Sequence, residues 1–195
     1  SSSVYGETKH LPVNEDSRLN PKNLYANTKV INETMANYYS NSFKMKVYGL
    51  RFFTLYGKWG RPDMFIFKLL KSFYDKKTFY LNNAGNHLRD FTHIDDAVAI
   101  LVQLPGIKFK NDYDIFNICS GKPTNLNLII KLFESKLGKL KIKNIKRNNL
   151  DVLKTHGSNI KINKILKSKQ KFSNISKVLD EIFQWYKKEK INQIT

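Results

Sequence analysis

Apolar positions divide the chain into alternating strands and helices. Ser1 to Tyr5 is a short polar, β-compatible run stopped by Gly6, and reads as the end of a strand. Residues 7–23 carry the breakers Pro12, Asn14, Asp16, Asn20, Pro21 and Asn23 and form a loop. From about Tyr25 to Ser42, Val30, Met35 and Tyr38 fall on a recurring face, which predicts a helix with Asn23 at its N-cap. Lys46 to Phe53 then reads as a strand leading into Thr54-Leu55-Tyr56-Gly57. Strand, helix, strand is the βαβ order of a parallel sheet, in which ligands sit at the carboxyl ends of strands. Ser1 to Ser3 and Thr54 lie at or near such ends.

Further along, Pro62 opens a helix to about Tyr74, Thr78 to Leu81 is a short strand, and Asn82 to Asn86 a turn. His87 to Thr92 follows as a strand, and Asp95 and Asp96 head an apolar helix from Ala97 to Leu104. Asp114 to Cys119 has the pattern of a buried strand, and Thr124 caps a helix that runs to Leu137 before Gly138. Lys139 to Lys146 alternates lysine with leucine or isoleucine, as a half-exposed edge strand does. Two helices close the chain, about Ile160 to Leu166 and Ile175 to Lys188, the second burying Val178, Ile182, Phe183 and Trp185. The expected fold class is α/β.

Composition narrows the function classes. With 195 residues, 41% hydrophobic and 13% aromatic, the chain can bury a core. No run reaches the length of a membrane span and the opening residues lack a basic signal region, so the expected setting is cytoplasmic and free of membrane. The single cysteine, Cys119, excludes an internal disulfide. A net charge of +18 first suggests a nucleic-acid partner. Arginine, however, occurs only at Arg18, Arg51, Arg61, Arg89 and Arg147; lysine, asparagine and isoleucine are abundant throughout, as in AT-rich coding. The expectation is no nucleic acid, and three of the scarce arginines, Arg51, Arg61 and Arg89, invite a search for anion binding there.

Tyr25 and Lys29 stand at i and i+4, on one face of the expected helix. A phenol holds its proton up to about pH 10, so a fixed cation that favours the phenolate is what proton abstraction near neutrality needs. Tyr5 and Lys9, and Tyr186 and Lys190, have the same spacing, so the interval alone does not choose among them.

Four stretches in order do: Ser1-Ser2-Ser3-Val4-Tyr5-Gly6, Tyr25 to Lys29, Leu50-Arg51-Phe52-Phe53-Thr54-Leu55-Tyr56-Gly57, and Arg89-Asp90-Phe91-Thr92-His93-Ile94-Asp95-Asp96. Together they resemble the extended short-chain dehydrogenase/reductases, specifically the NAD-dependent nucleotide-sugar epimerases and dehydratases. Trp59-Gly60-Arg61-Pro62-Asp63-Met64 is similar to the motif of UDP-glucuronate 4-epimerases. The resemblance implies NAD as cofactor, a UDP-sugar as substrate and a homodimer packed partly through the Tyr25 helix. It implies that Tyr25 takes the proton of the sugar 4-hydroxyl, that Lys29 supports the phenolate and holds the nicotinamide ribose, and that Ser1 hydrogen-bonds the reacting oxygen. Ser2, Ser3 and Thr54 would line the pocket for the C6 carboxylate with Arg61 nearby, Arg89 would grip the diphosphate, and Asp151 would lie near the uridine ribose. No metal is implied. It also implies the rear part of a Rossmann-like parallel sheet (residues 1–56 and 91–119) joined to a small mixed nucleotide-sugar domain (57–90 and 120–195).

Some features depart from the family pattern. No glycine-rich dinucleotide turn is present, and the family places it on the order of a hundred residues before the serine, so a preceding segment is expected and NAD affinity without it should be poor. Lys58 replaces a usual proline, and Asn148-Asn149-Leu150-Asp151 lacks the glycine that normally precedes the acid. The serine triplet argues against a 4,6-dehydratase, which needs acidic groups after its Ser/Thr, but leaves other sugar 4-epimerases open.

Overall fold

The computed structural model describes residues 1–192, with side chains to residue 189. Strand β1 (Val47–Phe52) pairs in parallel with β5 (Tyr113–Ile118), in register from Val47↔Tyr113 to Phe52↔Ile118. Alternation decides what each face of β5 meets. Phe116 and Ile118 turn toward Ala97 and Ile100 of α3 (Ile94–Leu101) and Ile162 of α5 (Ile160–Ile165). Asn117 turns the other way, toward Tyr5. Phe53 and Cys119, just past the two strands, pack with Val4, Tyr5 and Val13.

A second sheet has the order β2 (Thr54–Tyr56), β4 (Leu88–His93), β6 (Pro123–Asn125), parallel between the first two and antiparallel between the last two. Strands β3 (Phe79–Asn82) and β7 (Ile142–Ile145) form a third, parallel pair. The largest apolar cluster fills the space between α2 (Phe65–Tyr74), α4 (Leu126–Leu137) and α6 (Ile175–Asn192), with Leu69, Leu70, Ile129, Phe133, Leu179 and Ile182 at its centre. The architecture is α/β with parallel pairing, as expected.

Several local expectations need correction. Ser2–Tyr5 is a 3-10 turn rather than a strand end, capped by the Ser1 hydroxyl, which accepts from Ser3 N. The helix expected at Pro62 begins at Phe65; residues 62–64 turn first, and Met64 N bonds to Arg61 O. Helix α3 starts at Ile94, so Asp95 and Asp96 occupy its first turn rather than precede it. Thr124 belongs to β6, and Asn125 caps α4 by accepting from Asn127 N. Trp185 is half-buried rather than buried, edge-on to Trp59 at 4.9 Å.

Helix α1 (Leu24–Phe43) differs from expectation in its faces. Asn23 caps it through a 2.8 Å bond from Ala26 N, as its residue type suggests. Only Ala26 and Ser40 are buried, while Leu24, Ile31, Met35, Tyr38 and Phe43 are exposed. The face marked by Met35 and Tyr38 is therefore not a core face within this chain.

Candidate active site

The cap at Asn23 sets the first turns of α1, and these display Tyr25 and Lys29 on one face. Lys29 Nζ lies 5.3 Å from the centroid of the half-exposed Tyr25 ring. The 3-10 turn packs against α1. Ser1 and Ser3 share a 3.0 Å hydroxyl contact. Ser2 lines a small concavity with Tyr5, Gly6, Leu11, Phe53 and His156. Thr54 opens β2 opposite Phe91 and one residue beyond Phe53. Of the competing pairs, Tyr5 is buried and committed to other partners, and the Lys190 side chain lies outside the described residues.

Arg89 and Asp151 do meet. Arg89 Nη2 donates to Asp151 Oδ1 at 2.6 Å and Nη1 to the carbonyls of Leu88 and Leu153 at 3.1 Å. Asn82 Nδ2 donates to Asp151 Oδ2 at 3.1 Å. His87 Nε2 lies 3.3 Å from that oxygen but out of hydrogen-bonding line, so the fully buried ring has no hydrogen bond on either nitrogen. Burial, then the Arg89 cation, push the His87 pKa below its ordinary value, against the pull of Asp151. Burial likewise lowers the Arg89 pKa from its ordinary value, with Asp151 opposing. Arg61, by contrast, is exposed and bonded to Asp63 at 3.2 Å; no contact brings it to Ser2, Ser3 or Thr54.

Three further groups shape this region, of which only Arg51 stood out in the sequence. Glu7 accepts from Lys22 at 2.6 Å and from Arg147 at 2.9 Å, joining the serine turn to the loop around Asp151. Its carboxyl is held below the ordinary range, first by Lys22. Asp90, fully buried, accepts from Ser120 N, Ser120 Oγ, Gly121 N and Gly157 N, and clamps the end of β5 to the 157 loop. Burial raises its pKa, with these donors opposing. Arg51 holds Glu33 of α1 through Nε at 2.9 Å and Nη2 at 2.8 Å. Its Nη1 also donates to Tyr5 Oη at 2.8 Å, and that hydroxyl donates to Asn117 at 2.6 Å. Burial is the largest single influence and opposes the Arg51 charge, but Glu33 and Tyr5 together outweigh it and raise the pKa. The scarcity of arginine was the only sequence signal for this network.

Among the described residues no helix is long and apolar enough to cross a membrane, and no cluster of three or more His, Cys, Asp or Glu could hold a metal.

The parallel strand pairs give the chain a Rossmann-like α/β architecture, which sets the Tyr25–Lys29 pair of α1 beside the serine turn. More narrowly, the chain belongs to the NAD dependent epimerase/dehydratase family, whose model matches residues 1–119. It is 41% identical over 192 residues to an uncharacterized protein of Methanocaldococcus jannaschii, covering 97% of this chain and 58% of that protein. It is 31% identical over 163 residues to a probable UDP-glucuronate 4-epimerase of Rhizobium meliloti, covering 74% of this chain and 48% of that one. The crystal structure of UDP-glucuronic acid 4-epimerase from Bacillus cereus, in complex with UDP-glucuronic acid and NAD, superposes with a TM-score of 0.89 at 27% identity, over 96% of this chain and 60% of that one. The chain thus spans about half to three fifths of the length of these proteins.

Proposed function

We propose that this chain carries the acid–base and nucleotide-sugar part of an NAD-dependent UDP-hexuronate 4-epimerase, which interconverts UDP-glucuronate and UDP-galacturonate through a 4-keto sugar. The observation that carries the reading is the Lys29 ammonium 5.3 Å over the Tyr25 ring, with the Ser1 turn packed on the same helix. Tyr25 removes the proton of the 4-hydroxyl and returns it, and the Ser1 hydroxyl bonds the same oxygen. Lys29 supports the phenolate by its charge.

The residues present fit NAD as far as this chain reaches. Lys29 takes part in no ion pair among the described residues, so its N–H groups are available to a ribose. When bound, NAD would supply the acceptor and donor for the C4 hydride. Ser2, Ser3 and Thr54 would hold the C6 carboxylate, with Arg61 turning in from its exposed pairing with Asp63. Arg89 would meet the diphosphate and Asp151 the uridine ribose; their mutual bond and the tie from Asn82 hold both in place. The division into a partial Rossmann unit and a nucleotide-sugar unit is part of the same reading. So is a homodimer packed through the exposed apolar stripe of α1, working in the cytoplasm.

The test is turnover by the chain joined to an upstream NAD-binding segment, with UDP-glucuronate and UDP-glucose offered separately. Turnover of UDP-glucuronate supports the reading. Turnover of UDP-glucose alone would place the chain among other 4-epimerases, a 4-keto-6-deoxy product would make it a dehydratase, and UDP binding without turnover would leave a nucleotide-sugar-binding remnant.

A further inference from the structure

Glu33 follows Lys29 by four positions and Tyr25 by eight, so all three side chains leave α1 on one face. A carboxylate one turn from Lys29 is a natural partner for its ammonium, and pairing there would draw Lys29 away from Tyr25. In the structure this does not happen. Both Glu33 oxygens accept from Arg51, at 2.9 Å from Nε and 2.8 Å from Nη2, and the Arg51 side chain is only 4% exposed.

Arg51 is itself held from the far side. Its Nη1 donates to Tyr5 Oη and to the carbonyl of Glu15, and the Tyr113 hydroxyl donates to the carbonyl of Glu33. The guanidinium fork matches a carboxylate in two parallel bonds, which a lysine ammonium cannot do, so Glu33 is committed to β1 rather than to its helix neighbour. The same bonds fix the rotation of α1 against β1. Lys29 is left with the Tyr25 ring.

We propose that Arg51 is a positioning residue that sequesters the Glu33 carboxylate and thereby reserves Lys29 for Tyr25. The consequence for catalysis rests on the function proposed above; the side-chain exchange itself does not, and it can be read without cofactor or substrate. Lysines of the chain, expressed behind an uncleaved N-terminal tag so that Ser1 N is an amide, are reductively methylated with carbon-13, which keeps their charge. The Lys29 signal is assigned by its loss in Lys29→Arg. In the parent chain it should lie upfield through the ring current of Tyr25 and move to the ordinary lysine position in Tyr25→Leu.

Arg51→Gln should lose that upfield shift as Lys29 swings to Glu33, and the double variant Arg51→Gln/Glu33→Gln should regain it. A purely structural role for Arg51 predicts the opposite for the double variant, since it removes a second partner from the same site. Should Arg51→Gln fail to fold, Arg51→Lys keeps a cation at the position but cannot engage both oxygens. It should lose part of the shift and regain it with Glu33→Gln. An unchanged Lys29 signal in the folded Arg51 variant, or no recovery on adding Glu33→Gln, overturns the proposal.

Discussion

Arg89 and Asp151, 62 positions apart in the chain, are joined by a 2.6 Å bond from Nη2 to Oδ1. The bond ties β4 to the loop before α5, and Asn82 and His87 border the same carboxylate. Asp151→Ala leaves a largely buried guanidinium short of its acceptor, which should cost about 1 to 3 kcal/mol, toward the lower end because Asp151 is partly exposed. Asp151→Asn retains an acceptor for Arg89 and should cost less. Denaturant unfolding of the two variants checks the order.

Tyr25 makes a different kind of contribution. Its side chain is half exposed and buries little, so Tyr25→Phe should change stability by no more than about 0.5 kcal/mol. In the NAD-competent enzyme the same substitution should lower kcat by roughly 10² to 10⁴, the range of a lost general base. Melting curves alongside turnover rates separate the two effects.

That contrast explains what was legible in the sequence. Tyr25, Lys29 and the Asn23 cap are local features of one helix, and spacing within a helix fixes a face. The parallel strands showed in apolar runs for the same reason. The Arg51–Glu33 and Arg89–Asp151 bonds span 18 and 62 positions, and no periodicity connects their ends. Met35 and Tyr38 misled because a recurring apolar face signals that something covers it, without saying whether the cover is in the same chain. The Ser1 turn misled because polar, β-compatible residues also cap 3-10 turns.

His87 should make stability depend on acidity. Its folded pKa is lowered from 6.5, chiefly by burial, so the unfolded chain takes up its proton first as pH falls. The folded state is favoured above about pH 6.5 and loses stability below it. The melting temperature should therefore drop between about pH 7.5 and about pH 5.5, and drop less in His87→Gln. Equal slopes in the two proteins would contradict the assignment.

Cys119 is fully buried against Phe53 and the serine turn, and burial pushes its thiol well above the ordinary range. Thiolate is the reactive form, so the native chain should resist an aromatic disulfide reagent that labels the urea-unfolded chain at once. Labelling of the native chain as fast as a free thiol would place Cys119 at the surface.

The central claim is that C4 of the sugar is oxidised and then reduced in one pocket, with Tyr25 carrying the proton. It is tested most directly with UDP-glucuronate deuterated at C4, supplied to the chain joined to its NAD-binding segment. The account predicts UDP-galacturonate that retains the deuterium at C4, and no product with Tyr25→Phe. Product that has exchanged the label for solvent hydrogen, or undiminished epimerisation by Tyr25→Phe, would contradict it.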